Sequence, residues 1–199
     1  MANLFSRGRE VPVLETARLR LRAHRPGDFA DSSALWGDPN VTRHIGGRPL
    51  SEEEVWARLL CYVGHWAWMG FGYWVIEEKN SGEFVGEMGF ADWKRQIEPS
   101  LGGVPELGWV LATRHHGKGY ATEAVRAAIV WGDSCFALPP SSADPKNPVV
   151  SVAPQLRSAR MVCLIDPENA RSLRVAEKCG FQEILRTSYK GEPTILLAR

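Results

Sequence analysis

The stretch from Glu106 to Phe136 constrains this chain most. Glu106 to Ala112 (ELGWVLA) reads as a strand, and residues 119–136 (GYATEAVRAAIVWGDSCF) read as a helix rich in Ala and Val. Between them lies Arg114-His115-His116-Gly117-Lys118-Gly119-Tyr120-Ala121, and Arg160 to Ile165 (RMVCLI) supplies the next buried strand. A strand–helix–strand unit of this kind sets a helix against a sheet. Its two glycines let the backbone approach a ligand closely. The free N–H groups of the helix N-terminus point outward there, which favours phosphate, and Arg114 and Lys118 add cationic contacts. The plainer reading is a glycine-rich turn with solvated charges. It is not a Walker A loop, because Ala112 stands where the first glycine belongs and Gly119 where Ser or Thr belongs. No G-x-G precedes Gly117, so a dinucleotide fingerprint fails as well.

The earlier half is built differently. Leu14 to Arg22 (LETARLRLR) alternates, with Leu19 and Leu21 on one side and Arg18, Arg20 and Arg22 on the other, the period of a half-buried strand with a solvated arginine edge. Phe29 to Trp36 reads as a short helix. Ser51 and Glu54 form a capping box that opens a longer helix, along which Val55, Leu59, Tyr62 and Trp66 line one face before Gly70 and Gly72. Tyr73 to Glu78 and Phe84 to Phe90 read as a hairpin. Trp66, Trp68, Phe71, Tyr73 and Trp74 read mostly as core. Asp166-Pro167 or Asn169 opens a last helix that stops at Gly180, with Phe181 closing over it, and two strands follow at about 181–189 and 193–198. The prolines between 138 and 158 mark an exposed loop or insertion, within which Val149 to Val152 suits a short strand. Hairpins first and strand–helix–strand later imply a mixed sheet with helices on both faces.

Composition narrows the function classes. Lys plus Arg is 24 against 23 for Asp plus Glu, a formal net charge of +1, so no basic field for nucleic acid exists. No run reaches the ~18 apolar residues of a membrane span. Arg7 and Arg9 are not followed by an apolar signal region, so a cytoplasmic protein is expected. Cys61, Cys135, Cys163 and Cys179 show no CxxC pair and read as reduced, mostly buried thiols. His115 and His116 point apart in an extended turn and no third ligand is suitably spaced, so no metal is expected. All 199 residues are read as one domain.

Arg114-x-x-Gly117-x-Gly119, placed behind Glu106 to Leu111, resembles motif A of the GNAT superfamily of N-acetyltransferases. Asn169-Ala170-Arg171-Ser172, followed by Glu177-Lys178-Cys179-Gly180-Phe181, is similar to that family's second cofactor motif. Leu14 to Arg22 and Val85-Gly86-Glu87-Met88-Gly89 resemble the branch that acetylates ribosomal-protein N-termini. The resemblance runs from about 13 to 197, apart from 138–158. It implies an α/β fold with a mixed, mostly antiparallel sheet of six to seven strands, helices on both faces and a splayed central strand pair. In that family the loop cradles the pyrophosphate of acetyl-CoA, which assigns Arg114, His115, His116, Gly117, Lys118, Gly119, Tyr120, Ala121 and Thr122 to the cofactor. The pantetheine arm enters the splay between 107–111 and 160–165. Val110 and Leu111 would pair with it and Asn169 would hydrogen-bond it, a plain helix N-cap being the simpler role for Asn169.

The implied reaction is acetyl transfer from the thioester to a primary amine, by direct attack in a ternary complex. Only a neutral amine attacks, so a carboxylate base is wanted. Glu106 is the first candidate and Glu87 the alternative, either being equally readable as a structural or solvated charge. Backbone N–H groups near Val110 would stabilise the oxyanion. Many family members carry a tyrosine acid four residues before the glycine of K-x-G-F. Here that position is Ala176, which leaves Ser172 to hydrogen-bond the departing sulfur, unless it serves only the helix turn. The acceptor is a peptide N-terminus or a small-molecule amine, the branch resemblance favouring the former; a homodimer is compatible with the family. Two other readings stand beside this one. A catalytically silent acyl-CoA-binding sensor would keep Gly117, Gly119 and Asn169 without a base. A structural protein on the same fold would use its aromatic cluster as an interface.

Overall fold

The computed structural model describes residues 10–136 and 154–199, the side chain of Gln155 excepted. Its strands are β1 (Leu14–Glu15), β2 (Leu19–Arg22), β3 (Tyr73–Glu78), β4 (Phe84–Ala91), β5 (Glu106–Leu111), β6 (Val162–Ile165), β7 (Gln182–Tyr189) and β8 (Glu192–Ala198). They form one sheet in the order β1-β2-β3-β4-β5-β6-β8-β7, in which only β5 and β6 run parallel. The helices are α1 (Phe29–Gly37), α2 (Pro39–Thr42), α3 (Glu52–Met69), α4 (Tyr120–Cys135) and α5 (Ala170–Lys178).

Strand alternation divides the core into two layers. Trp74, Ile76, Phe90, Leu107 and Leu111 face α4 and α5, where they pack with Val125, Ile129 and Ala176. Val75, Phe84 and Val110 face the other way, against Leu35 and Trp36 of α1 and Val55 of α3. Helices on both faces are thus borne out. The Ser51–Glu54 capping box forms with both of its bonds, and α3 ends at Gly70 in the left-handed conformation, φ 73°.

The sheet has eight strands among the described residues, more than the six to seven expected. The stretch 14–22 is not one strand, because the carboxylate of Glu123 in α4 accepts from Thr16 Oγ1 (2.7 Å) and the Arg18 N–H (2.9 Å). Those bonds pull residues 16–18 into a turn that splits β1 from β2. The arginine edge is not uniformly solvated either. Arg22 is buried, with its guanidinium on Asp28 (2.8 Å) and Glu77 (2.6 Å). Strand β6 starts at Val162 rather than Arg160, since the N–H groups of Arg160 and Met161 both bond Arg199 O. Trp68 leaves the expected aromatic core: it is 94% exposed. Cys163 and Cys179 are buried, Cys61 half-buried and Cys135 exposed, all as free thiols.

Of the proline-rich stretch, 138–153 lies outside the described residues. At its end Pro154, Arg157 and Ser158 are exposed as expected, but Leu156 is not. Pro154–Leu156 forms a helical turn whose Leu156 is fully buried with Val104, Ala159, Val162, Leu196 and Ala198, a face of β6 and β8. Among the described residues no helix is long and apolar enough to cross a membrane.

Candidate active site

The site is made by a parallel strand pair that fails to stay paired. β5 and β6 meet only at Glu106 and Val162, where the Val162 N–H bonds Pro105 O (3.0 Å). From there they diverge, because each is held by its other neighbour: β5 pairs with β4 from Glu106 to Leu111, and β6 with β8 along its whole length. A wedge opens between them toward the glycine loop. Ala112 donates to Val85 O (3.0 Å), and Val110 and Gly108 lie opposite Glu87 and Gly89. By antiparallel alternation the main-chain groups of Val110 and Gly108 therefore serve β4, while those of Leu107, Trp109 and Leu111 face the wedge. The N–H groups near Val110 that remain free of β4 are therefore those of Trp109 and Leu111.

At the wide end, Gly117 (φ 77°) and Gly119 (φ 80°) take left-handed conformations, which glycine adopts without strain, and Gly119 caps α4 without a side chain. The first N–H groups of α4 therefore have no side-chain cap and stand beside the wedge. Those of His115 and His116 are already used, bonding Ala112 O (2.9 Å) and Thr113 O (3.1 Å). Arg114 turns away from the loop mouth, to Glu83 (2.9 Å) and Phe84 O (3.0 Å), so it anchors the loop to β4. His115 is buried beneath Tyr120, with neither ring nitrogen hydrogen-bonded, and burial pushes its pKa down. His116 spans the mouth, donating through Nε2 to Leu111 O (2.9 Å) and accepting at Nδ1 from Arg171 of α5 (3.0 Å). Lys118 is exposed.

Two cations at this mouth went unassigned in the sequence. Arg18 reaches from the β1–β2 turn to Lys118 O (3.0 Å) and lies over the Tyr120 ring (4.7 Å), and Arg171 holds His116. Arg171 sat inside the quoted N-x-R-S motif, so adjacency was a usable signal; nothing local marked Arg18. Across the wedge, Asn169 Oδ1 caps α5 by accepting from Ser172 N–H (3.1 Å). That N-cap role leaves the Asn169 amide N–H groups, and the Ser172 hydroxyl, without hydrogen bonds among the described residues. Ala176 is fully buried and carries no proton donor.

The two carboxylates differ. Glu106, at the closed end of the wedge, accepts two bonds from one edge of the Arg95 guanidinium, Nε at 2.5 Å and Nη2 at 2.7 Å. It borders a cavity of about 250 Å³ lined also by Asp92, Trp93, Ser100 and Gly103. Glu87 is 0% exposed beneath α1, accepting from Ser32 Oγ (2.5 Å) and Trp36 Nε1 (2.8 Å), with His24 Nε2 at 3.6 Å. Burial pushes its pKa up, but His24, Ser32 and Trp36 outweigh that and hold it below the ordinary range. Its carboxylate is closed off from solvent in this arrangement. No group of His, Cys, Asp and Glu suited to a metal ion occurs among the described residues.

The comparisons agree with this architecture. Residues 18–182 match the family model described as an acetyltransferase (GNAT) domain. The uncharacterized protein YkkB of Bacillus subtilis is 32% identical over 174 residues, covering 84% of this chain and 83% of that protein. A GnaT-family acetyltransferase structure from Bordetella pertussis superposes with a TM-score of 0.73 at 28% identity, over 95% of this chain and 99% of that one. The spermidine N-acetyltransferase of Vibrio cholerae, solved with CoA and spermine, shares the fold with a TM-score of 0.59 at 17% identity, over 92% of this chain and 94% of that one. With its wedge, glycine loop and capped α5, the chain belongs to the GNAT acetyltransferase family and is an acetyl-CoA-dependent acyltransferase.

Proposed function

We propose that this protein acetylates a primary amine, either a protein N-terminal α-amine or a small-molecule amine, by direct attack on acetyl-CoA in a ternary complex. The observation that carries the reading is the wedge, which runs from uncapped amides at Gly117–Gly119 down to Glu106 and the 250 Å³ cavity. The loop N–H groups, Lys118 and Arg18 would hold the pyrophosphate, by helix-terminus and charge attraction. Wedge-facing main chain at Trp109 and Leu111 would pair with the arm, and the Asn169 amide would bond it as it leaves.

A cosubstrate seated this way presents its thioester near Gly108, with the cavity as the acceptor's approach. An α-amino group, with a reference pKa of about 7.7–8.0, is partly neutral at working pH; a lysine amine at about 10.4 is mostly charged and needs its proton removed first. Glu106 takes that proton through water or after Arg95 moves aside, and Ser172 bonds the sulfur. The residues 14–22 and 85–89 favour a peptide α-amine. A polyamine like that of the Vibrio relative is the small-molecule alternative.

The bidentate Arg95–Glu106 pair favours one other reading, a silent acyl-CoA binder whose carboxylate is permanently engaged. Calorimetry with acetyl-CoA on the wild type and a Gly117→Trp/Gly119→Trp variant, followed by thiol release over an amine panel, decides. Binding lost in the variant together with turnover on an amine is expected, and Glu106→Gln should lower kcat by ~10²–10⁴-fold. Binding without turnover on any amine would establish the silent binder, and no binding at all would sink both readings.

A further inference from the structure

Tyr73 occupies a position that neither the motif pattern nor the carboxylates account for. It lies opposite Gly89 of β4, and Gly89 lies opposite Gly108 of β5, so the three form one row across the sheet. The Tyr73 side chain reaches along that row from β3 toward β5. Its hydroxyl reaches the splayed strand: a Cβ built on Gly108 would sit 2.1 Å from Tyr73 Oη. At Gly89 it is the backbones that pack closely, since a Cβ there would meet Gly72 O at 2.2 Å and Tyr73 Cα at 2.3 Å. Tyr62 of α3 stacks on the ring with centroids 4.3 Å apart and planes 1° from parallel, and Trp93 of the cavity stands edge-on at 6.1 Å. The ring is thus fixed, with its hydroxyl over β5 at Gly108.

The hydroxyl itself is uncommitted. It makes no hydrogen bond among the described residues, yet it is not one of the sealed polar atoms without a partner, as His24 Nε2, Arg58 Nε and the His115 nitrogens are. Tyr73 is 7% exposed, and its free donor sits two residues from the closed end of the wedge. Burial pushes the phenol's pKa well up, so it keeps its proton throughout the working range.

We propose that Tyr73 is the proton donor to the leaving sulfur, a role that rests on the acetyl-transfer reading. As the amine nitrogen bonds the carbonyl carbon, the C–S bond breaks and its electron pair goes to sulfur. The phenol O–H proton passes to that sulfur, giving free thiol. The proton that Glu106 takes from the amine returns through water to the phenolate, so both groups are regenerated and the sum is amine plus thioester giving amide plus thiol. The phenol then does what Ala176, buried in the core, cannot.

Tyr73→Phe removes one unbonded oxygen and leaves the Tyr62 stack intact. It should lower kcat by ~10²-fold or more, the usual worth of a placed acid, with the Kd for acetyl-CoA and the melting temperature unchanged. Gly108→Ala should push the hydroxyl off the strand and cost kcat in the same way. The double variant should be no slower than Tyr73→Phe alone, because the group displaced is already absent. Both acceptor turnover and the slower hydrolysis of bound acetyl-CoA are read. Tyr73→Phe within about threefold of wild type in kcat, against that expected ~10²-fold loss, or a double variant whose losses multiply, overturns the proposal. A wild type that binds acetyl-CoA but shows neither reaction overturns the transfer reading itself, which separates the two failures.

Discussion

Glu123 ties the first turn of α4, beside the glycine loop, to the β1–β2 turn, and its removal gives a calculable effect. Its carboxylate accepts from Thr16 Oγ1 (2.7 Å) and from Arg18 N–H (2.9 Å) and Nε (2.8 Å), and pairs with Nη2 (2.6 Å). The Arg18 side chain is 46% exposed, so the ion pair is counted at the surface value of ~0.5 kcal/mol. The Thr16 and Arg18 N–H bonds add ~1 kcal/mol each. Glu123→Ala should therefore cost ~2–3 kcal/mol, which for a chain of this size lowers Tm by about 5–10 °C. Arg18 would also lose its hold on Lys118 O, so the acetyl-CoA Kd should rise ~2–10-fold, the worth of one hydrogen bond. Burial raises the Glu123 pKa, but the bonds from Thr16 and Arg18 outweigh it and leave a net depression. That contribution is present above the ordinary carboxylate pKa and is lost as pH falls through the folded value. The gap in Tm between wild type and Glu123→Gln should accordingly narrow toward acid pH. Thermal unfolding by circular dichroism with acetyl-CoA calorimetry reads both effects. A Tm for Glu123→Ala within about 1 °C of wild type would refute the reasoning, since even one of these bonds is worth more.

Other consequences are as direct. Burial raises the Asp28 pKa, but hydrogen bonds from Arg22 and the Arg25 N–H lower it by more, so Asp28 stabilises above the ordinary carboxylate value of ~3.9 and ceases to as pH falls through its folded pKa. Melting curves from neutral to acid pH should show wild type converging on Asp28→Asn. Glu87→Gln should destabilise by ~2–4 kcal/mol, since His24, Ser32 and Trp36 lose a charged partner, while kcat of the folded fraction stays near wild type; a large kcat loss at unchanged Tm would instead make Glu87 the base. Leu156→Ala should cost ~2–5 kcal/mol in chemical denaturation, the price of a cavity under β6 and β8. Trp68→Ser should stay within ~0.5 kcal/mol, because almost none of that ring is covered.

Local pattern carried the element order because each element declares itself over a few residues. The capping box at Ser51, the left-handed stop at Gly70, the hairpin at 73–90 and the strand–loop–helix at 106–136 all form at or within a residue or two of the boundaries read from the chain. Where the reading failed, a distant partner intervened. One strand became two because Glu123, far along the chain, bonds Thr16 and Arg18. Arg22 went inside because Asp28 and Glu77 were there to neutralise it, and Trp68 stayed outside although four aromatic neighbours in sequence did not.

The site divides along the same line. Local pattern foretold the left-handed glycines of the loop and the N-cap at Asn169, because these are demands that a residue type meets by itself. That Arg114 faces Glu83, that Arg18 and Arg171 supply charge at the loop, and that Glu106 is held by Arg95 could only follow from folding, since each depends on what another element brings within about 3 Å. The sequence by itself determined which backbone shapes are available. Only the tertiary structure decided that Tyr73, Gly89 and Gly108, on three separate strands, align so that the Tyr73 hydroxyl meets β5 at Gly108, because strand register is set by pairing across the sheet and no single segment contains it.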